Sequence, residues 1–309
     1  MTKAERERLT RIYGMSQLKP PFTTWRFTRR FWVFQQERVP IIALLTIGLI
    51  ATAAVAKISH NFDWTRIVIA TFMSSLYFLQ IRLADEPKDF EHDNKYHPQR
   101  PVQRGLITLK ELARTKDVTI GLFLLLALLT RSVEVVTVAI VQQLFSYLTR
   151  HEFFIRNWLR RHFFIYQYSH YAQLLILSWL SVTILRIQPF HEQLIYFGYI
   201  LALIAPVESS RTIGGSDEKQ ADDRYSYKLG TNVALSSFLL VTILMISYTL
   251  FLISHTAGTL NPILLVPGLL VIAAAAVRYQ HNPVTKNAEA LNAASLIMYL
   301  CSAGTLLIS

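Results

Sequence analysis

Long apolar runs separated by short charged stretches fill most of this chain. Runs near 39–57, 66–84, 115–130, 133–150, 163–186, 192–209, 231–254, 261–279 and 290–308 approach or reach the roughly 17–25 residues with which a helix crosses a bilayer. The pattern predicts an all-α protein with nine transmembrane helices and little room for a soluble domain. The run at 115–130 is short, and 133–150 carries Glu134, Gln142 and Gln143, yet both are needed if the loops are to alternate in sign. The first 38 residues depart from the pattern. Their stretch "WRFTRRFWVF" at 25–34 alternates aromatic and basic side chains, as a helix lying in the membrane interface does, and it lacks the continuous apolar core of a cleaved signal peptide. Two regions follow: a cytoplasmic or interfacial segment over 1–38 and a single transmembrane domain over 39–309.

Composition agrees with a membrane class: 52% of residues are hydrophobic and the mean hydropathy is +0.32. Orientation comes from the 31 Lys and Arg residues, because these accumulate on the cytoplasmic side. With the N-terminus inside, the inner segments hold nine before residue 39, seven in 85–116, four in 150–162, four in 210–228 and two in 278–289. The outer segments hold only Lys57, Arg66, Arg131 and Arg186, while Arg82 sits at the inner end of the second span. An inner-membrane protein with an inside N-terminus and an outside C-terminus is expected. The net charge of +11 is therefore explained by topology and anionic lipid headgroups rather than by nucleic acid. The single cysteine, Cys301, excludes an internal disulfide and a thiolate metal site.

Against this background "RLADEPKDFEHD" at 82–93 stands out, with Asp85, Glu86, Asp89, Glu91 and Asp93 in twelve residues. Asp85, Asp89 and Asp93 recur every fourth residue, which stacks them on one helical face, where like charges repel. A hard divalent cation with oxygen ligands is the usual counter-charge, and Mg2+ is commonly held by one or two carboxylates, waters and substrate phosphates. A second acidic stretch, "GGSDEKQADD" at 214–223, follows the sixth span on the same side. Lys88, Arg100 and Arg104, with Arg114 and Lys116 later in the loop, would complete a diphosphate-binding set. Arg100 and Arg104 serve equally well as positive-inside anchors.

These residues resemble the signature of the UbiA superfamily of intramembrane prenyltransferases. Its first motif, N-D-x-x-D-x-x-x-D followed by R-P-x-x-x-G, is matched by "DEPKDFEHD" at 85–93 and "RPVQRG" at 100–105. Asp89 and Asp93 take the later Asp positions, Glu86 replaces the first Asp, and Asp85 replaces the Asn. The second motif is looser in "VESSRTIGGSDEKQADDRYSYKLG" at 207–230: Glu208 stands for its first Asp, and Asp217, Glu218, Asp222 and Asp223 supply later carboxylates at shifted spacing. The resemblance implies catalysis at Asp85, Asp89 and Asp93, with these, Glu86, Glu208, Asp217, Glu218 and Asp222 as Mg2+ ligands. It implies diphosphate binding by Lys88, Arg100, Arg104, Arg211 and Lys228. The reaction implied is ionisation of an allylic prenyl diphosphate and prenyl transfer to an aromatic or lipid-pathway acceptor.

A carbocation formed in this way has to be kept from water and guided by apolar and aromatic walls. Tyr147, Tyr166 and His170 on the fourth and fifth spans, with Gln142 inside the fourth, are candidates. Tyr is also enriched at membrane interfaces, and a buried amide can instead bond another helix. Some relatives quench the cation within the same chain, so a terpene cyclase is the alternative. A transporter, the reading from a different class, fits less well because the acidic residues gather in inner loops rather than at mid-membrane.

Overall fold

The computed structural model describes residues 3–218, 224–256 and 262–308. Among these residues there are thirteen α-helices and no strand. The chain divides into two compact units, one of residues 1–48 and 68–180, the other of residues 49–67 and 181–309. The boundaries fall within three helices: α3 (Ile41–Ile58), α4 (Trp64–Tyr96) and α8 (Phe163–Ile184).

The first unit contains α1 (Lys3–Met15), α2 (Phe27–Arg38), α5 (Leu109–Leu129), α6 (Val133–Arg150) and α7 (Arg156–Arg161), with parts of α3, α4 and α8. Its N-terminal helices are built into the core. Ile12 and Phe34 are fully buried in one cluster with Leu79, Leu83 and Phe90 of α4, and Val102, Ile107 and Leu112 join them. Burying a side chain of this size stabilises by roughly 1.5–3 kcal/mol. A polar tie accompanies the apolar one: Arg30 of α2 grips Glu111 through two bonds of 2.8 and 2.6 Å. Glu111 also closes a capping box at the start of α5, accepting from the Thr108 backbone at 3.0 Å while Thr108 Oγ1 accepts from the Glu111 backbone at 3.2 Å.

The second unit is formed around α9 (Phe190–Arg211), α11 (Thr231–Thr256), α12 (Leu265–His281) and α13 (Thr285–Ile308), with the short α10 (Tyr225–Leu229) leading into α11. Small polar side chains bond across these helices: Tyr199 with Ser302 at 3.2 Å, Ser302 with Thr249 at 2.5 Å, and Ser210 with Ser295 at 3.0 Å. Apolar burial gives helices little reason to associate inside lipid, so close packing and such bonds carry the association. Gly268 shows the closeness, since a Cβ there would lie 2.5 Å from Met298 Sδ and 3.2 Å from Cys301 Cβ.

Among the described residues six helices are long and apolar enough to cross a membrane: α3, α4, α9, α11, α12 and α13. The chain is an integral membrane protein. The expected count of nine is not reached, because three of the runs form helices that are diluted by polar groups. Helix α5 carries Arg114, Lys116 and Asp117, α6 carries Glu134, Gln142, Gln143 and Arg150, and α8 carries Gln167, His170 and Gln173. The second span also does not stop at residue 84. It continues as the 33-residue helix α4 through the whole acidic stretch. At 1.5 Å per residue such a helix is about 50 Å long, well over a hydrocarbon core of about 30 Å, so its charged turns extend beyond the apolar layer.

Burial raises the pKa of Glu111, but the bonds from Arg30 and Thr108 outweigh it and hold the carboxyl below the usual glutamate value. The stability it supplies is present above the usual glutamate range and is lost as pH falls through the lowered value. Glu111→Ala leaves the buried Arg30 without its partner and should cost about 3 kcal/mol. The check is a lower thermal unfolding midpoint than wild type at neutral pH, with the gap narrowing on acidification.

Candidate functional site

Helix α4 presents its acidic residues on a graded arc rather than one line, because four residues overshoot a 3.6-residue turn. Glu86 and Asp93 come out almost in register and both are buried. A buried carboxylate is costly unless paired, and here arginines supply the pairing. Arg38, the last residue of α2, places Nε 2.9 Å from Glu86 Oε1 and reaches Asp93 Oδ2 at 3.9 Å. Arg82, one turn before Glu86, donates to the same Oε1 at 3.0 Å. Arg100 donates to Asp93 Oδ1, with His92 Nδ1 3.3 Å away.

Arg100 gets there through the "RPVQRG" turn. The chain bends back after α4 through backbone bonds from His97 to Asp93, from Arg100 to His97, and from Arg104 to Arg100. Leu106 N then bonds Pro101 O, and Gly105 O accepts from Lys19 N at 3.1 Å. Gly105 adopts φ +77°, and a Cβ there would come within 2.8 Å of the Lys19 backbone nitrogen. The glycine of this motif therefore permits both a left-handed turn and a close approach.

Asp89 differs from its neighbours. It is half-buried and forms no hydrogen bond or ion pair among the described residues, although Lys88, Arg100 and His92 surround it electrostatically. Asp93 Oδ2 is buried without a hydrogen-bond partner. Asp85 lies one turn before Asp89. Ligand atoms of His92, Asp93 and His97 lie within 4.8 Å of one another. Burial and the adjacent Arg100 hold His97 below the usual imidazole pKa, so at neutral pH it has a lone pair to offer.

Several of the other sequence-derived cations have protein partners. Lys88 Nζ donates to Tyr166 Oη at 2.7 Å and lies 3.7 Å from Glu152. Arg104 forms a fork on Glu37, with bonds of 2.9 and 2.7 Å. In the second unit Arg211 pairs with Glu208 at 2.9 Å and Arg224 with Glu218 at 3.1 Å. Asp217 accepts from the Thr285 backbone at 2.6 Å and from its hydroxyl at 2.7 Å, capping the start of α13. Those bonds hold its carboxyl below the usual range. Lys228 ends near Tyr227, 5.8 Å from its ring centre. Asp222 and Asp223 lie outside the described residues.

Above Lys88 a polar column runs through the first unit. Tyr166 leads to His170, whose Nδ1 is 2.8 Å from the Tyr166 carbonyl. A carbonyl only accepts, so Nδ1 carries the proton and Nε2 the lone pair in the neutral ring. Gln173 follows, donating to His170 O at 3.2 Å and accepting from Tyr77 Oη at 2.6 Å. Gln142 is fully buried and donates to Gln173 O at 3.3 Å, while Gln143 donates to Gln80 at 3.1 Å. Tyr147 is exposed, its ring 4.6 Å from that of His151. Sequence reasoning missed Arg38, Gln80 and Gln173. The signal for Arg38 was a basic residue just before the first apolar span. For the two glutamines it was an amide within an apolar run.

No family model matches the sequence, and no curated protein matches it. Solved structures do. The structure of a digeranylgeranylglyceryl phosphate synthase in membranes superposes with a TM-score of 0.55 at 16% identity, covering 91% of this chain and 100% of that one. The apo structure of a UbiA homolog from Aeropyrum pernix K1 superposes with a TM-score of 0.57 at 12% identity, covering 86% of this chain and 97% of that one.

Arg38→Ala should leave Glu86 and Asp93 buried with one counter-charge fewer and cost about 3 kcal/mol. Adding Glu86→Gln to that variant should restore part of the loss, as read from thermal unfolding of both proteins beside wild type. An all-α membrane chain aligned over most of its length with two such structures has a UbiA-like fold.

Proposed function

We propose that this protein ionises an allylic prenyl diphosphate with the aid of Mg2+ and transfers the prenyl group to an aromatic or lipid-pathway acceptor. The observation that carries this reading is Asp89, a half-buried carboxylate without an ion pair among the described residues, set among paired carboxylates and cations. The UbiA-like fold supports it, as does the likeness to a synthase of a prenylated lipid, digeranylgeranylglyceryl phosphate.

The donor set suits a hard cation. Asp85, Asp89 and the unbonded Oδ2 of Asp93 are oxygen ligands of the kind Mg2+ takes together with substrate phosphates. Mg2+ bound there would supply Lewis-acid stabilisation of the departing diphosphate. Glu86, already shared by Arg38 and Arg82, acts in this reading as the anchor for those arginines. Arg100 and Lys88 contribute positive charge where negative charge develops, which is the form of catalysis that gains most from preorganisation. Arg104 can join them only by releasing Glu37, and in the second unit Glu208, Asp217 and Glu218 are already held by Arg211, Thr285 and Arg224.

Once the diphosphate has left, Tyr166 and His170 offer aromatic and dipolar surface to the allylic cation, whereas Gln142, fully buried, ties α6 to α8. The Nε2 lone pair of His170 is a base for the proton an aromatic acceptor must lose.

Purified protein supplied with farnesyl or geranylgeranyl diphosphate should release diphosphate only with Mg2+ and a lipid-soluble acceptor, and chelation should stop turnover. Asp89→Asn should lower that turnover about a hundredfold or more, with thermal unfolding unchanged. Wild-type turnover in the variant would remove Asp89 from the mechanism. A cyclic terpene released without acceptor would replace transfer by cyclisation.

A further inference from the structure

A second feature lies across α4 from Glu86 and Asp93. Ala84 and Lys88 emerge on that opposite face, as a 3.6-residue periodicity requires. There they border a half-open cleft of about 600 Å³, shared with Arg8 of α1 and with the segment from Arg150 to Trp158. Among the described residues four cations line it, Arg8, Lys88, Arg150 and Arg156, against one carboxylate, Glu152.

That carboxylate is already shared. Arg156 Nε is 3.4 Å from Glu152 and Lys88 Nζ is 3.7 Å from it. Arg8 bonds Glu91 at 2.8 Å and the Lys88 carbonyl at 3.1 Å. Arg150 is left half-buried with no hydrogen bond or ion pair among the described residues. A guanidinium carries five donors in a rigid fork suited to carboxylate and phosphate. The wall beside it is apolar and exposed, made by Phe154, Ile155 and Trp158. The backbone between is unusual: Glu152, Phe153 and Phe154 adopt φ of 48°, 54° and 61° in succession. Non-glycine residues seldom enter that region, and such strain gathers at ligand clamps.

We propose that this cleft binds the phosphate of an anionic membrane phospholipid, with the acyl chains lying along Phe154, Ile155 and Trp158. Arg150 ends α6, at the inner edge of an apolar run by the Lys and Arg distribution. Basic pockets between helices on that side bind anionic headgroups, and Trp favours the same level of the bilayer. The site shares Lys88 with the diphosphate-binding set proposed above but none of the carboxylates proposed to bind Mg2+, and it needs neither metal nor prenyl diphosphate.

The test uses the full chain in nanodiscs holding equal amounts of phosphatidylcholine and phosphatidylglycerol, without Mg2+, with the co-purified lipids read by native mass spectrometry. Phosphatidylglycerol should be retained roughly tenfold over phosphatidylcholine, and Arg150→Gln with Arg156→Gln should abolish that preference, since charge-assisted phosphate contacts are among the stronger hydrogen bonds. Arg150→Lys, which keeps the charge and loses the fork, should retain a reduced preference. Asp89→Asn should keep the full preference whether or not it still turns over. Equal retention of the two lipids, or a preference that survives in the double variant or is undiminished in Arg150→Lys, would overturn the proposal. Displacement of phosphatidylglycerol by millimolar inorganic phosphate would also overturn it, by assigning the cleft to a free anion.

Discussion

Carboxylates on a helix that leaves an apolar layer must be neutralised before they can be buried. In the first unit this is done by the arginines around Glu86 and Asp93, and much of the local architecture serves to deliver them. Arg38 arrives at the end of α2, which is fixed by the burial of Phe34 and by the Arg30–Glu111 fork. Arg100 arrives through a turn that closes only because Gly105 lets Lys19 approach. The N-terminal helices are thus a structural part of the acidic site, although they carry none of its carboxylates.

The same pairing gives the acidic residues unequal roles. Glu86 and Asp93 have arginine partners, whereas Asp89 has none among the described residues. Repulsion among aspartates at four-residue spacing is relieved on one side only, and the remaining demand for positive charge falls at Asp89. In the second unit the acidic stretch is held differently. Asp217 caps α13, Glu218 pairs with Arg224, and Glu208 pairs with Arg211. There the carboxylates order a loop against helix ends rather than gathering on one helical face.

Much of this was legible from the sequence, for definable reasons. The four-residue rhythm of Asp85, Asp89 and Asp93 specifies a helical face whatever surrounds it, and "RPVQRG" contains the glycine its turn requires. Hydropathy misplaced the end of α4, because loss of apolar character marks the edge of a membrane and not the end of a helix. The same measure overcounted the apolar spans at α5, α6 and α8, whose Lys116, Gln142 and Gln173 are buried inside the protein. The Arg38–Glu86 and Arg8–Glu91 pairs join positions 48 and 83 residues apart, and no local pattern encodes such a pairing.

The central claim is that Asp89 is available to a cation while Glu86 is committed to arginine. The most direct measurement is the electron paramagnetic resonance titration of Mn2+, standing in for Mg2+, into the purified protein with inorganic diphosphate present. Asp89→Asn should lose most of the bound Mn2+ and Glu86→Gln should keep it. Binding retained in Asp89→Asn and lost in Glu86→Gln, with both proteins folded, would contradict the account.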